Sequence, residues 1–577
     1  MPAPIRLAVS VVVVLALGLV TAPAASAHAI LLRTEPSPQT TVAHPPTVVK
    51  LHFSEAAEAT FGAVRVFDVD GHRVNSGKLS RTDGNKEVDV AVPHLKDGSY
   101  TVTWRVVSAD GHPVHGGFSF YVGAPSTISA VAVAGDAGVS GLVTYGFGAD
   151  RFLWFSALLS MIGLVVVRRW VWTPAVAATG LAGSPAAGRF RTRFARALRA
   201  AWVVLLVAGG LSLVFQAASA SGLSLTAALR PTVLNEVLHT AYGRLWVATM
   251  ALAAAAGVGV LGLLARRPLL GLAARRWVTP LLAAGAGLCL VTALNGHART
   301  LPHEALGVGS VTVHLFAVSV WVGGLGALVV LGGMAWRALA PGDRRPLVGE
   351  LVRRFSRLGV GAVAVVVATG VLNAVLDLGS VADLWRVRYG QVILAKVVLL
   401  GLALALAARH RWVVPRRLAG DAGEAGDTAV AGFGRSAAWE LVALVGAVGL
   451  AAALVALVPG RSLALAADGP VNQEHRAGTY TVQLFIDPTG VGANEVHVTY
   501  VDAQGLGAAE VTNTVVVLRP AAGSPVRVAM RLISPGHFAG DTTLAPGAYQ
   551  LDASDGQAAS TTFDFRIRGP AAEKRSP

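Results

Sequence analysis

Two periodicities divide this chain. Through its middle run eight apolar stretches, near residues 145–167, 200–220, 245–265, 278–296, 308–334, 358–376, 391–408 and 437–459. Each is long enough, or nearly so, to cross a hydrocarbon core of ~30 Å as a helix, although Asp150 and Arg151 interrupt the first. On either side the period drops to two. Val49/Leu51/Phe53, Val88/Val90/Val92, Tyr100/Val102/Trp104/Val106 and Phe118/Phe120/Val122 each put apolar side chains on one strand face, and Asp-Gly turns at 70–71, 83–84 and 97–98 separate them. That spacing predicts an antiparallel β-sandwich over residues 28–123. A Gly/Ala/Ser-rich linker, 124–140, leads into the helical domain, 141–460. Alternation returns over 461–577, in Tyr480/Val482/Leu484/Ile486, Val526/Val528/Met530/Leu532 and Phe563/Phe565/Ile567, and predicts a second sandwich with a polar tail after Gly569. The expected fold class is a multidomain membrane protein: β-sandwich, eight-helix transmembrane bundle, β-sandwich.

The bundle repeats itself. RFARALRAAWVVLLVAGGLSLVF from residue 193 echoes RFSRLGVGAVAVVVATGVLNAVL from 354, and AYGRLWVATMAL from 241 echoes RYGQVILAKVVL from 388. The offsets, 161 and 147 residues, imply two units of about four spans in the same orientation. A parallel repeat of this kind is a transporter plan, with its site between the halves.

Charge fixes the expected orientation. Arginines crowd alternate connections: Arg168, Arg169 and Arg189 to Arg199; Arg266 to Arg276; Arg337 to Arg357; and Arg409 to Arg435. This positive-inside bias places those connections in the cytoplasm and both sandwiches outside it. The net charge of +15 is therefore a topology signal and not a nucleic-acid signal. The lone Cys289 excludes an intramolecular disulfide or a CxxC site, and five scattered methionines argue against thioether-rich Cu(I) chemistry outside the membrane.

The N-terminus supplies the chemistry. Arg6, an apolar run and Ala25-Ser26-Ala27 have the build of a secretory signal over residues 1–27. Cleavage there makes His28 the first residue, so its α-amine and imidazole together can clamp Cu(II), which favours nitrogen and oxygen ligands in tetragonal geometry. Asp110 and His112, in SADGHPVHGGFSF, share one face of an extended segment, and Gly116-Gly117 offer a tight turn into the last strand. Alone, a DGH turn reads as a solvated loop. Beside an N-terminal histidine it reads as a metal site.

HAILLRTEPSPQ, LHFSE and YTVTWRVVSADGHPVHG resemble the CopC family of extracytoplasmic copper-binding proteins. The resemblance implies Cu(II) ligation by His28, Asp110 and His112, with Glu55 near the metal; His115, where that family more often has a small residue, reads as a surface histidine first and as an extra ligand second. Residues 141–460 resemble the CopD family, most clearly in RFSRL, TGVLNAVLDL, YGQVILAKVVL and HLFAVSVWVGGL. The whole is similar to a CopC–CopD copper resistance fusion of the YcnJ type, with a faint YtkA-like likeness in PGHF and APGAYQL near the C-terminus. His44, His52, His72 and His94 carry no motif and read as solvated, and His475, His497 and His537 read as exposed residues.

Inside the membrane, polar residues are costly and line a path or an interior contact. His314 shares a helical face with Trp321, seven residues on; Asn295 and His297 close the fourth span, with His303 beyond, and Lys396 sits inside the seventh. His297, His303 and His314 form a candidate copper route, against bland readings as a helix–helix hydrogen bond and an exposed loop. The leading expectation is Cu(II) capture outside and copper import across the bacterial plasma membrane. The alternatives are a tethered copper buffer and, third, a copper-dependent oxidative enzyme; Asp110 argues against the last by filling a position that oxygen would need. No phosphate-binding loop is present, so direct ATP hydrolysis is not expected.

Overall fold

The computed structural model describes residues 31–567 except 38–40, 54–55, 59–62, 69–71, 76–78, 109–112, 124–140, 222, 266–272, 302, 337–338, 413–423, 458, 460–470, 488, 490, 503–507, 535 and 557–558. One compact unit holds most of the helical residues, 145–215 and 237–460, and another holds both sandwiches together with 216–236.

The N-terminal sandwich uses β1 (Leu31–Glu35), β2 (Thr41–Val42), β3 (Val48–Phe53), β4 (Ala57–Glu58), β5 (Val64–Phe67), β6 (Leu79–Thr82), β7 (Glu87–Ala91), β8 (Gly98–Ser108) and β9 (Pro113–Val122). One sheet runs β1-β3-β7-β6; the other runs β2-β9-β8-β4, with β5 also on β8. Alternation here is faithful to burial, because Val49, Leu51, Val88, Val90, Val92, Val102 and Phe120 are all fully enclosed between the sheets. The expected turn at Gly116-Gly117 is not one. β9 runs straight through both glycines, with Gly116 opposite Trp104 and Gly117 opposite Thr103 on β8. A residue without a side chain leaves room for the indole across the ladder, and the chain reverses earlier, between Ser108 and Pro113.

The C-terminal sandwich comprises β10 (Val471–Ala477), β11 (Tyr480–Asp487), β12 (Gly492–Val501), β13 (Val515–Pro520), β14 (Val526–Val528), β15 (Arg531–Ser534), β16 (His537–Leu544), β17 (Gly547–Ser554) and β18 (Ser560–Ile567). Its sheets are β10-β11-β12-β16-β15 and β14-β13-β17-β18. The run Val526/Val528/Met530/Leu532 is not one strand: β14 pairs in one sheet and β15 in the other. Val528 is buried, but Val526 and Leu532 are both more than half exposed, because the crossing between sheets breaks the shared face.

Among the described residues, eight helices are long and apolar enough to cross a membrane: spans 1 (Leu142–Ala178), 2 (Pro185–Ser221), 3 (Ala241–Leu264), 4 (Arg275–Leu294), 5 (Glu304–Trp336), 6 (Gly342–Asp377), 7 (Arg388–Arg409) and 8 (Gly432–Leu454). The chain is a multi-pass membrane protein. Several arginines expected in connections are helical instead, including Arg189 to Arg199 and Arg344 to Arg357. Arginine is a good helix former, so spans 2 and 6 run on past their apolar segments.

The duplication is visible in length. The spans of the first half are 37, 37, 24 and 20 residues long, and those of the second 33, 36, 22 and 23. The first span of each half also carries π-turns, one in span 1 at Val167–Trp172 and two in span 5 at Ser319–Gly323 and Leu328–Gly332. Those two helices meet at Gly163 and Gly323, which lie 160 residues apart, within one residue of the longer sequence offset. A Cβ on Gly323 would strike the Leu159 carbonyl, and one on Gly163 would strike the Gly323–Gly324 backbone. Close backbone approach at small residues is how helices associate where lipid is as apolar as the side chains. Gly323→Ala should therefore destabilise the bundle by about 1–3 kcal/mol or more, as overpacking does. Gly359→Ala, where a Cβ meets open space, is the control. Thermal melting in detergent reads the difference, and equal midpoints would contradict the crossing.

Candidate functional site

The expected Cu(II) ligands His28, Glu55, Asp110 and His112 lie outside the described residues, and of His115 only the strand position in β9, opposite Arg105, is described. Their flanks are informative. Leu31 at the start of β1 pairs with Phe53 at the end of β3, and Ala57 in β4 pairs with Ser108 at the end of β8. The 54–56 connection joins Phe53 to Ala57. The segments preceding Leu31, following Phe53 and following Ser108 therefore leave from one end of the sandwich. Trp104 closes the core at that end, edge-on to Phe53 at 5.3 Å between centroids.

Of the histidines read as solvated, His44, His72 and His94 are exposed. His52 is not. It lies 3.0 Å from Glu87 and 3.6 Å from Glu35, with Lys50 also bound to Glu87, so neighbouring side chains of β1, β3 and β7 account for it. His475 stacks on Phe563 and bonds the Thr562 carbonyl oxygen at 2.8 Å. His497 is buried and bonded to His537. Among the described residues, no three His, Cys, Asp or Glu side chains converge as a metal cage.

The membrane residues separate clearly. His303 is exposed at the start of span 5. His297, beyond span 4, lies edge-on to Tyr389 of span 7 at 6.4 Å between centroids. Tyr389 donates to Asp377 at the end of span 6, over 2.7 Å. Deeper, His314 Nδ1 is 2.8 Å from the Thr369 hydroxyl of span 6, which itself donates to the Val365 carbonyl oxygen at 2.6 Å. With its proton committed there, Thr369 accepts from His314. The imidazole then carries its hydrogen on Nδ1, and the Val366 backbone of span 6 is a further hydrogen-bond partner of the ring.

These groups form a line. Thr369, Asn373 and Asp377 are spaced four apart, hence on one face of span 6. Their run covers roughly 12 Å at 1.5 Å per residue. Lys396 of span 7 is within electrostatic range of both Asp377 and His314, so the carboxylate offsets an ammonium that would otherwise repel a cation. Beside the line, the Trp321 indole donates to buried Glu440 of span 8 at 3.3 Å. The sequence reading missed Asp377, Tyr389 and Glu440. Their signal was present, since an acidic residue inside an apolar span is rarely without a task or a partner.

Three protein-family models match the chain: the CopC domain over residues 31–123, the copper resistance protein D-like N-terminal domain over 142–306, and copper resistance protein D over 349–454. The copper transport protein CutJ of Bacillus subtilis is 30% identical over 402 residues, spanning 69% of this chain and 70% of CutJ. The inner membrane protein YebZ of Escherichia coli is 28% identical over 275 residues, 47% of this chain and 86% of YebZ. Among solved structures, CopC from Methylosinus trichosporium is 34% identical over 17% of this chain and 95% of its own, with a TM-score of 0.16.

Proposed function

The chain belongs to the CopC–CopD family of copper transport and resistance proteins that CutJ represents, and on that premise we propose that it imports copper. Copper homeostasis is the family's business; the capture site, the direction and the route are our reading. After signal cleavage the His28 amine and imidazole, with Asp110 and His112, hold Cu(II) outside the membrane, and Glu55 sits beside them. The flanks of all four residues leave one end of the sandwich, as that set requires. Copper then passes inward through the second half of the bundle, entering near His297 and using His314 within. The family's proteins are transporters and resistance proteins, so the chain is assigned no catalytic step.

The observation that carries the transport reading is His314. A half-buried imidazole held by Thr369 and the Val366 backbone of span 6, on a polar line between spans 5, 6 and 7, suits metal passage better than anchoring. On our reading of the arginine bias both sandwiches lie outside the cytoplasm, and capture on that side supports inward passage. Cellular copper under limitation, with and without the chain, tests the function. The capture site is tested separately by Cu(II) affinity of the full chain. Asp110→Ala and His112→Ala should each weaken binding by more than about tenfold, at least the effect of disturbing a ligand's support. His115→Ala should do less, and a larger effect from His115→Ala than from either would overturn the ligand set.

A further inference from the structure

The C-terminal sandwich contains a histidine pair that the uptake reading does not use. Val496, Val498 and Tyr500 of β12 face the core, so Glu495 and His497 face outward from the same strand. On neighbouring β16, His537 is registered opposite Thr499 and Ala539 opposite His497. His497 and His537 are therefore diagonal neighbours on one sheet face, within reach of each other's rings. His497 Nδ1 and His537 Nε2 stand 3.0 Å apart, with the ring planes tilted by 42°.

That face is not open water. His497 is only 6% exposed, and Phe485 on β11 lies opposite it, edge-on at 6.0 Å between centroids. The second nitrogen of His497 looks toward Glu495 Oε2 at 3.8 Å, and Arg531 holds the other Glu495 oxygen at 3.1 Å. At that separation the carboxylate makes no hydrogen bond to the ring; it stands on the Nε2 side, where its charge favours a hydrogen on Nε2 and the Nδ1 lone pair toward His537. Two bonds of ~2.0–2.1 Å meeting near a right angle at a metal hold their nitrogens about 2.9 Å apart. The pair already has that spacing.

We propose that His497 Nδ1 and His537 Nε2 form a second metal site, for a divalent ion of the Cu(II) class, with Glu495 orienting His497 and the remaining positions left for water or a transferring ligand. Without metal, the pair shares one hydrogen, donated by His537 Nε2 to His497 Nδ1. Binding moves that hydrogen to the other ring nitrogen of His537, so each imidazole presents a lone pair and no net proton is lost. Two imidazoles and no cage of three donors make an exchangeable site, fitted to passing an ion on and unsuited to storing it.

The test uses the full-length chain, purified in detergent without a polyhistidine tag and titrated with Cu(II) alone. Electron paramagnetic resonance counts bound equivalents and reports nitrogen ligation. Wild type should bind two equivalents. Asp110→Ala/His112→Ala should retain one with imidazole couplings, and adding His497→Ala should remove it. Glu495→Gln, which leaves both histidines in place, should weaken that equivalent roughly tenfold and keeps the test informative if His497→Ala does not fold. An Asp110→Ala/His112→Ala chain that binds no Cu(II), or one that keeps its equivalent at full affinity in either further variant, overturns the second site and leaves the N-terminal one untouched.

Discussion

Cells whose only copy of this chain carries His314→Ala should accumulate no more copper under limitation than cells lacking the chain. The variant removes the imidazole and leaves the outer domain intact, so Cu(II) binding should persist while uptake stops. The expectation rests on where the residue is and how it is held. A polar ring in an apolar span is retained for a task or a partner, and here it joins the polar line of span 6 at Thr369. Thr369→Val should have the milder effect, because it frees the tautomer without deleting the ring. Membrane fractionation establishes that the variant is inserted. A normal copper content in inserted His314→Ala would return the residue to a packing role and move the route elsewhere.

One extra residue ahead of His28 should lower Cu(II) affinity by orders of magnitude. The free α-amine, with a pKa near 8, is half of the proposed clamp, and an added residue converts it to an amide that cannot ligate in the same way. The imidazole stays, so a site built on the ring alone would be indifferent. Comparing the processed chain with one carrying a single added alanine separates the two, with Cu(II) affinity as the readout. Equal affinities would remove the amine from the ligand set and leave Asp110 and His112 to carry the metal.

Much of the fold was legible because periodicity reports burial directly. Val49, Leu51, Val88 and Val90 alternate, and all are enclosed. Eight apolar stretches became eight helices; arginine prolonged spans 2 and 6 at their starts, and span 8 ends at Leu454, short of the expected 459. What failed depended on partners. Gly116 looked like a turn because its cross-strand neighbour, Trp104, is twelve residues back and invisible to a local reading. Val526 to Leu532 looked like one strand because alternation does not record a change of sheet. In the membrane, spacing could put Thr369, Asn373 and Asp377 on one face, yet not say that His314 and Tyr389 meet that face from two other helices. His497 and His537, 40 residues apart in sequence, are joined only by the register of β12 on β16.

The central claim is that the bundle moves copper. Its most direct test is cellular copper under limitation in cells that replace this chain by its 28–123 domain fused to a single apolar helix. A single helix suffices to anchor a domain, so this chimera keeps capture and discards the eight spans. With insertion and Cu(II) binding verified, its copper content should match that of cells with no chain at all, while the intact chain restores the normal level. Restoration by the chimera would contradict transport and make the protein a tethered buffer.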